Sequence, residues 1–160
     1  MSDYWLDSDS LITAKNGPYG FDIAPSFWTF IERKMNEGII ASSSLVYDEI
    51  AEGDEDELLL WAREQRENGY FIEPDGVVQT IFRQIADYVN RNFPQYQAAD
   101  FLNGADPWLI AHAKAYGGKV VTFEVSAPGS TKPKIPDIAK EFDVITLDIY
   151  KMIRELQIVL

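Results

Sequence analysis

Tyr4-Trp5-Leu6-Asp7-Ser8-Asp9-Ser10-Leu11-Ile12 is the stretch on which the fold turns. Tyr4, Trp5 and Leu6 are bulky and apolar, and two are aromatic, which suits a short buried strand. Asp7 stops that run with a side chain that favours turns. A strand that ends in a carboxylate invites a search for others that do the same.

Working outward, Lys119 to Phe123 is the clearest strand, and Glu124 follows it directly. Ile39-Ile40-Ala41, Tyr70-Phe71-Ile72 and Val144 to Leu147 are shorter apolar runs. Between them lie helical stretches. Pro25 to Asn36 puts Phe27, Phe30 and Ile31 on one face, and Phe27, Trp28 and Phe30 read as core. Ser44 caps a short helix carrying Leu45, Val46 and Ile50. Asp56 to Asn68 is closed by Gly69. Gly76 to Asn92 is amphipathic through Val77, Ile81, Ile85 and Val89. Asp106-Pro107 is an N-cap and first-turn pair that opens a helix ending at Gly117-Gly118. Ile135 to Phe142 and Ile149 to Gln157 are the last helices. Residues 11–24, with Gly17, Pro18 and Gly20, read as irregular, and 126–136 as a Ser-, Pro-, Gly- and Lys-rich loop. Short strands alternating with helices predict an α/β fold, a three-layer α/β/α arrangement on a mainly parallel sheet. Residues 1–160 read as a single domain of ordinary size.

Composition narrows the function. There is no cysteine, which excludes disulfides, thiolate zinc sites and a cysteine nucleophile, and fits a cytoplasmic location. No apolar run approaches a membrane span, and the first ten residues lack a secretory pattern. The net charge of −12 argues against broad electrostatic capture of nucleic acid. The acidic run Glu52, Asp54, Glu55, Asp56 and Glu57 reads as a solvated helix start.

In open α/β sheets the ligand site lies beyond the carboxyl ends of the strands. Asp7 and Asp9 follow the first strand, Glu49 lies in the helix after the second, Asp106 opens the helix before the clearest strand, and Glu124 ends that strand. Each has a plainer role as a turn, cap or surface residue. Together, on one edge, they repel one another unless a cation sits among them. Hard divalent cations such as Mg²⁺ and Mn²⁺ prefer oxygen ligands, polarise phosphoryl oxygens and acidify water. That chemistry suits a chain whose one histidine, His112, sits among Ile110, Ala111 and Ala113 and reads as structural.

Four segments resemble the motifs of PIN-domain proteins. Leu6 to Ile12 is an apolar strand ending in Asp. Val46-Tyr47-Asp48-Glu49-Ile50 carries a helical Glu. Ala105 to Ala113 is an Asp before an apolar, Ala-rich helix. Val120-Val121-Thr122-Phe123-Glu124 is a strand ending in Thr-x-acid. The resemblance implies a Mg²⁺- or Mn²⁺-dependent endoribonuclease, a hydrolase whose metal-binding and catalytic acids are Asp7, Glu49, Asp106 and Glu124. Ser8 and Asp9 would support the first turn and Thr122 would orient the fourth acid. Glu124 stands where the family more usually has Asp or Asn, so Asp137 in Ile135-Pro136-Asp137 is the other candidate for that place. Lys132 and Lys134, in the insertion after Glu124, are candidates for contacting phosphate. The resemblance further implies an RNA substrate, a toxin role with an antitoxin protein as partner, no membrane, and a possible homodimer.

Two other readings remain open at this point. Asp7-Ser8-Asp9 also matches the Asp-x-Asp of haloacid-dehalogenase-like phosphatases, with one Asp as nucleophile and the other as general acid. No adjacent acidic pair follows a late strand, as that family requires. The second is a non-catalytic PIN-like scaffold whose acidic face meets a basic partner.

Overall fold

The strand that ends at Asp7, Tyr4–Leu6 (β1), lies in the middle of a five-stranded, wholly parallel sheet. The computed structural model describes residues 2–160. After β1 come α1 (Ser8–Asn16), α2 (Pro25–Asn36), β2 (Ile40–Ser43), α3 (Ser44–Ala51), α4 (Glu57–Glu67), β3 (Phe71–Ile72) and α5 (Gly76–Asn92). Then follow α6 (Gln95–Leu102), α7 (Asp106–Tyr116), β4 (Lys119–Val121), α8 (Ile135–Glu141), β5 (Thr146–Leu147) and α9 (Ile149–Glu155).

The strand order is β3-β2-β1-β4-β5. The chain travels one way from β1 to β3, then crosses over and travels the other way through β4 and β5. Parallel crossovers are right-handed, so reversing the direction of travel moves the connecting helices to the other face. The packing agrees: α3 lies against α4 and α1, while α7 lies against α5 and α8. The result is the α/β/α arrangement expected from the alternating pattern.

The core fills the space between layers. Trp5, Leu6, Ile40, Val120 and Val121 bury both faces of the central strands. Helix α7 packs on β1, β2 and β4 as well as on α5 and α8. That position explains why Leu109, Ile110, Ala111, His112 and Ala113 are all buried, with no polar face among them. His112 belongs to this core. Its ring stacks on Trp5 at 4.6 Å and its Nε2 lies 3.2 Å from Ser43 Oγ. Burial lowers its pKa to about 4, so it is neutral at physiological pH. Phe27, Trp28 and Phe30 are buried, as expected.

Three local expectations need correction. Residues 11–16, read as part of an irregular stretch, are helical and belong to α1: Asp7 caps it, Leu11 and Ala14 are buried, and Gly17 ends it. Ser43, one residue before Ser44, caps α3, because β2 runs two residues further than its apolar core. Helix α6 had no counterpart in the apolar pattern, since only Ala98 and Phe101 are buried in it.

Gly118 shows how tightly β1 and the turn before β4 are pressed together. A Cβ there would stand 2.8 Å from the Ser2 carbonyl oxygen and from the Trp5 ring. Gly118→Ala is therefore expected to cost roughly 1–3 kcal/mol. Gly129→Ala, with nothing within 4 Å of the new carbon, is expected to be neutral or to stabilise by up to about 1 kcal/mol. Urea denaturation of the two variants decides the matter, and equal midpoints would contradict the packing described.

Candidate active site

The order of strands reverses between β1 and β4, and a crevice opens beyond their carboxyl ends at such a switch point. Leu6 pairs with Val121, and Asp7 N–H continues the ladder to the Val121 carbonyl at 3.1 Å. Asp7 is thereby fixed between the two strands, buried to 2 % exposure. Its Oδ1 accepts from Ser10 N–H at 2.8 Å, capping α1, and the Thr122 hydroxyl also hydrogen-bonds its carboxylate.

Glu49 enters from α3 with both oxygens engaged. Oε1 accepts from the Ser8 hydroxyl at 2.8 Å and Oε2 from Ala105 N–H at 3.2 Å. One carboxylate so joins the starts of α1 and α7 to α3. The absence of a side chain at Gly104 leaves room for it, since a Cβ there would lie 3.3 Å from Oε2.

Asp106 is not the N-cap that Asp-Pro suggested. Ala105 holds that position with helical angles and no side-chain cap, and Asp106 is the first helical residue. The Ala105 N–H is satisfied from outside by Glu49, so the Asp106 carboxylate is not drawn back onto its own helix. Glu124 follows β4 by three residues; its N–H donates to Thr122 Oγ1 at 3.0 Å and its Oε1 accepts from Ile135 N–H at 3.1 Å. Asp137 is used differently. It accepts from Ala127 N–H at 2.8 Å and from the Ser126 hydroxyl. Asp9 is exposed in the first turn of α1.

The electrostatics report which acids share one field. Asp106 is pushed up to about 8, first by burial and then by Glu124, Asp7, Glu49 and Asp9 in that order. Asp7 is pushed up to about 6 by burial, against the hydrogen bonds from Ser10 and Thr122 that favour its charged form. Glu124, Asp7, Glu49 and Asp9 thus all lie within reach of the Asp106 charge, and Asp137 is not among the groups that act on it. Glu49, Asp106 and Glu124 line a cleft of about 610 Å³ together with Lys132 and Lys134, while Asp7 is buried and takes no part in its lining.

The donors are all carboxylate oxygens, the set that Mg²⁺ and Mn²⁺ prefer. An acid held near 8 first by burial and then by negative neighbours marks a place short of positive charge. Among the described residues no three His, Asp or Glu side chains stand close enough together to hold an ion as they are placed. Glu49 and Glu124 are instead drawn outward onto the backbone N–H groups of Ala105 and Ile135. Sequence reasoning missed the lining contributed by α6 and the turn after it, Gln97, Asp100, Phe101 and Asn103. Pro94, with Ala98 and Phe101 three residues apart, was the available sign of the helix that carries them.

A profile of the family described as "Domain of unknown function (DUF4411)" matches residues 4–160. No curated protein sequence matches the chain. In fold the chain is similar to a chain in the crystal structure of VapBC2 from Rickettsia felis bound to a DNA fragment from their promoter. The TM-score is 0.53 at 12% identity, covering 92% of this chain and 98% of that one.

Metal-free protein is expected to lose stability as pH rises. An unfolded Asp releases its proton near about 4, whereas folded Asp106 keeps its own to about 8. Between those values the native state binds more protons, so stability falls with rising pH; below about 4 the penalty is absent. Asp106→Asn should flatten that slope and stabilise the metal-free protein at pH 8 by on the order of 2 kcal/mol. Thermal melts in EDTA across this range check it, and an unchanged slope in the variant would count against the shared field.

Proposed function

The chain belongs to the DUF4411 family, and we propose that it is a cytoplasmic, metal-dependent ribonuclease that hydrolyses RNA phosphodiester bonds, as the toxin of a toxin–antitoxin pair. The observation that carries this reading is the field at the switch point. Burial and, after it, the charges of Glu124, Asp7, Glu49 and Asp9 hold the Asp106 carboxyl near 8. Asp7, Glu49, Asp106 and Glu124 are the four acids that the PIN resemblance assigns to metal binding and catalysis. The likeness of fold to a chain of VapBC2, a complex seen bound to a DNA fragment from its promoter, supports the reading and favours an antitoxin partner.

Mg²⁺ or Mn²⁺ held by these acids supplies charge neutralisation at the phosphoryl group and activation of water. The chain's own residues prepare for that. Asp106 holds a proton at its carboxyl near neutral pH and gives it up when positive charge arrives. Glu49 is oriented in advance by Ser8 and Ala105, and Asp7 by Ser10 and Thr122. No side-chain base of the histidine type is required, and His112 is buried in the core.

With Mn²⁺, purified protein is expected to cleave single-stranded RNA. Asp7→Asn and Asp106→Asn should each lower kcat by about a hundredfold or more. Both variants should keep their circular dichroism, since at position 7 Asn caps a helix about as well as Asp and Asp106 caps no helix. Failure of a clean, folded preparation to cleave RNA with Mn²⁺ would refute the nuclease reading and leave a partner-binding scaffold.

A further inference from the structure

The loop between β4 and α8 is fastened by two carboxylates. Glu124 Oε1 holds Ile135 N–H at 3.1 Å, and Asp137 holds Ala127 N–H at 2.8 Å together with the Ser126 hydroxyl. Each fastening joins the start of the loop to its end, which makes it a compact unit with its ends pinned. Inside it, Lys132 N–H donates to Ser130 Oγ at 3.0 Å, and Pro133 is buried. Lys132 and Lys134, on either side of that anchored proline, both line the cleft that contains Glu49, Asp106 and Glu124.

The cleft is otherwise hostile to an anion. Asp48, Glu52 and Asp100 bring its carboxylates to six, and among the described residues Lys132 and Lys134 are the only basic side chains lining it. Neither lysine closes onto an acid. Among the described residues the ion pairs are made by Lys15, Lys34, Arg63, Arg91 and Lys119. Two cations held at the mouth of an acidic cleft, and not neutralised by it, are placed for an external anion.

We infer that Lys132 and Lys134 form the phosphate-binding subsite of this chain, holding backbone phosphates of a single-stranded RNA beside the bond to be cleaved. The inference rests on the ribonuclease reading. The strand then runs along the 122–134 loop, with its bases toward Gln97, Phe101 and Asn103, which complete the lining from α6 and the turn after it. The cleft volume of about 610 Å³ falls within the range of roughly 300–1,000 Å³ typical of small-ligand sites, which suits a few nucleotides and not a duplex. Unpaired strands also leave base edges and faces free for recognition. With a net charge of −12, the surface as a whole repels RNA, so these local contacts decide where the strand lies.

The test uses a short, fluorescein-labelled single-stranded RNA of mixed sequence, titrated in calcium buffer and followed by fluorescence anisotropy. Wild type is compared with Lys132→Gln/Lys134→Gln and with Lys114→Gln/Lys140→Gln, which makes the same change in net charge at exposed positions outside the cleft. The loop pair should weaken binding about tenfold and lower the salt dependence by about 1.4 in log–log slope, two phosphate contacts at roughly 0.7 each. The control pair should leave both nearly unchanged, and Lys132→Arg/Lys134→Arg should restore affinity. In cleavage assays with Mn²⁺ the Gln pair should raise KM and spare kcat. Equal affinity and slope in the two Gln pairs, or no RNA binding by wild type, would overturn the subsite. Lysine-dependent binding without cleavage would uphold the subsite and sink the nuclease reading; cleavage with unchanged KM in the loop pair would do the reverse.

Discussion

The constraint behind the rest of this structure is the mutual repulsion of carboxylates gathered where β1 and β4 part. Two like charges a few ångströms apart cost far more in a crevice with restricted water than on an open surface. The fold tolerates the cluster because its members are held by donors. Asp7 has Ser10 N–H and Thr122, Glu49 has Ser8 and Ala105 N–H, and Glu124 has Ile135 N–H. Asp106 is the member around which the others' charges accumulate, and it relieves the strain by keeping a proton. The buried layers on both sides of the sheet supply the stability against which this repulsion is set.

Much of the fold could be read from residues alone, because it depends on local signals. Helices α2 and α5 begin and end where Pro25, Gly76 and the apolar spacing put them. The strands are short, yet each contains part of an apolar run visible in the sequence. What could not be read depends on contacts distant in sequence. Gly17, Pro18 and Gly20 suggested an irregular segment, but the Asp7 cap and the burial of Leu11 and Ala14 make residues 8–16 helical. Helix α6 buries so little that its pattern carries no clear period.

The site shows the same division. That a strand should end in Asp7 and another lead to Glu124 is visible in the sequence, and parallel topology brings such ends to one edge. Which acid caps which helix is not visible. Asp106-Pro107 has the form of a cap and first-turn pair, yet the N–H at the start of α7 is taken by Glu49, 56 residues earlier. On the sequence alone Glu124 is the favoured fourth acid and Asp137 the other candidate. In the fold Glu124 acts on Asp106, and Asp137 fastens the loop.

The carboxylates at the switch point therefore carry two duties that pull in opposite directions. As hydrogen-bond acceptors they cap α1, tie the starts of α1 and α7 to α3, and fasten the loop after β4 to the start of α8. As charges they destabilise the state that holds them. An amide in place of a carboxylate keeps much of the first duty and removes the second, whereas alanine removes both. Loss of function on substitution is thus informative about chemistry only when the isosteric amide is the replacement. The same logic explains why the acids are built into helix starts at all. A helix N-terminus offers free N–H groups and a favourable dipole, so it is the one backbone feature able to hold an extra negative charge close to others.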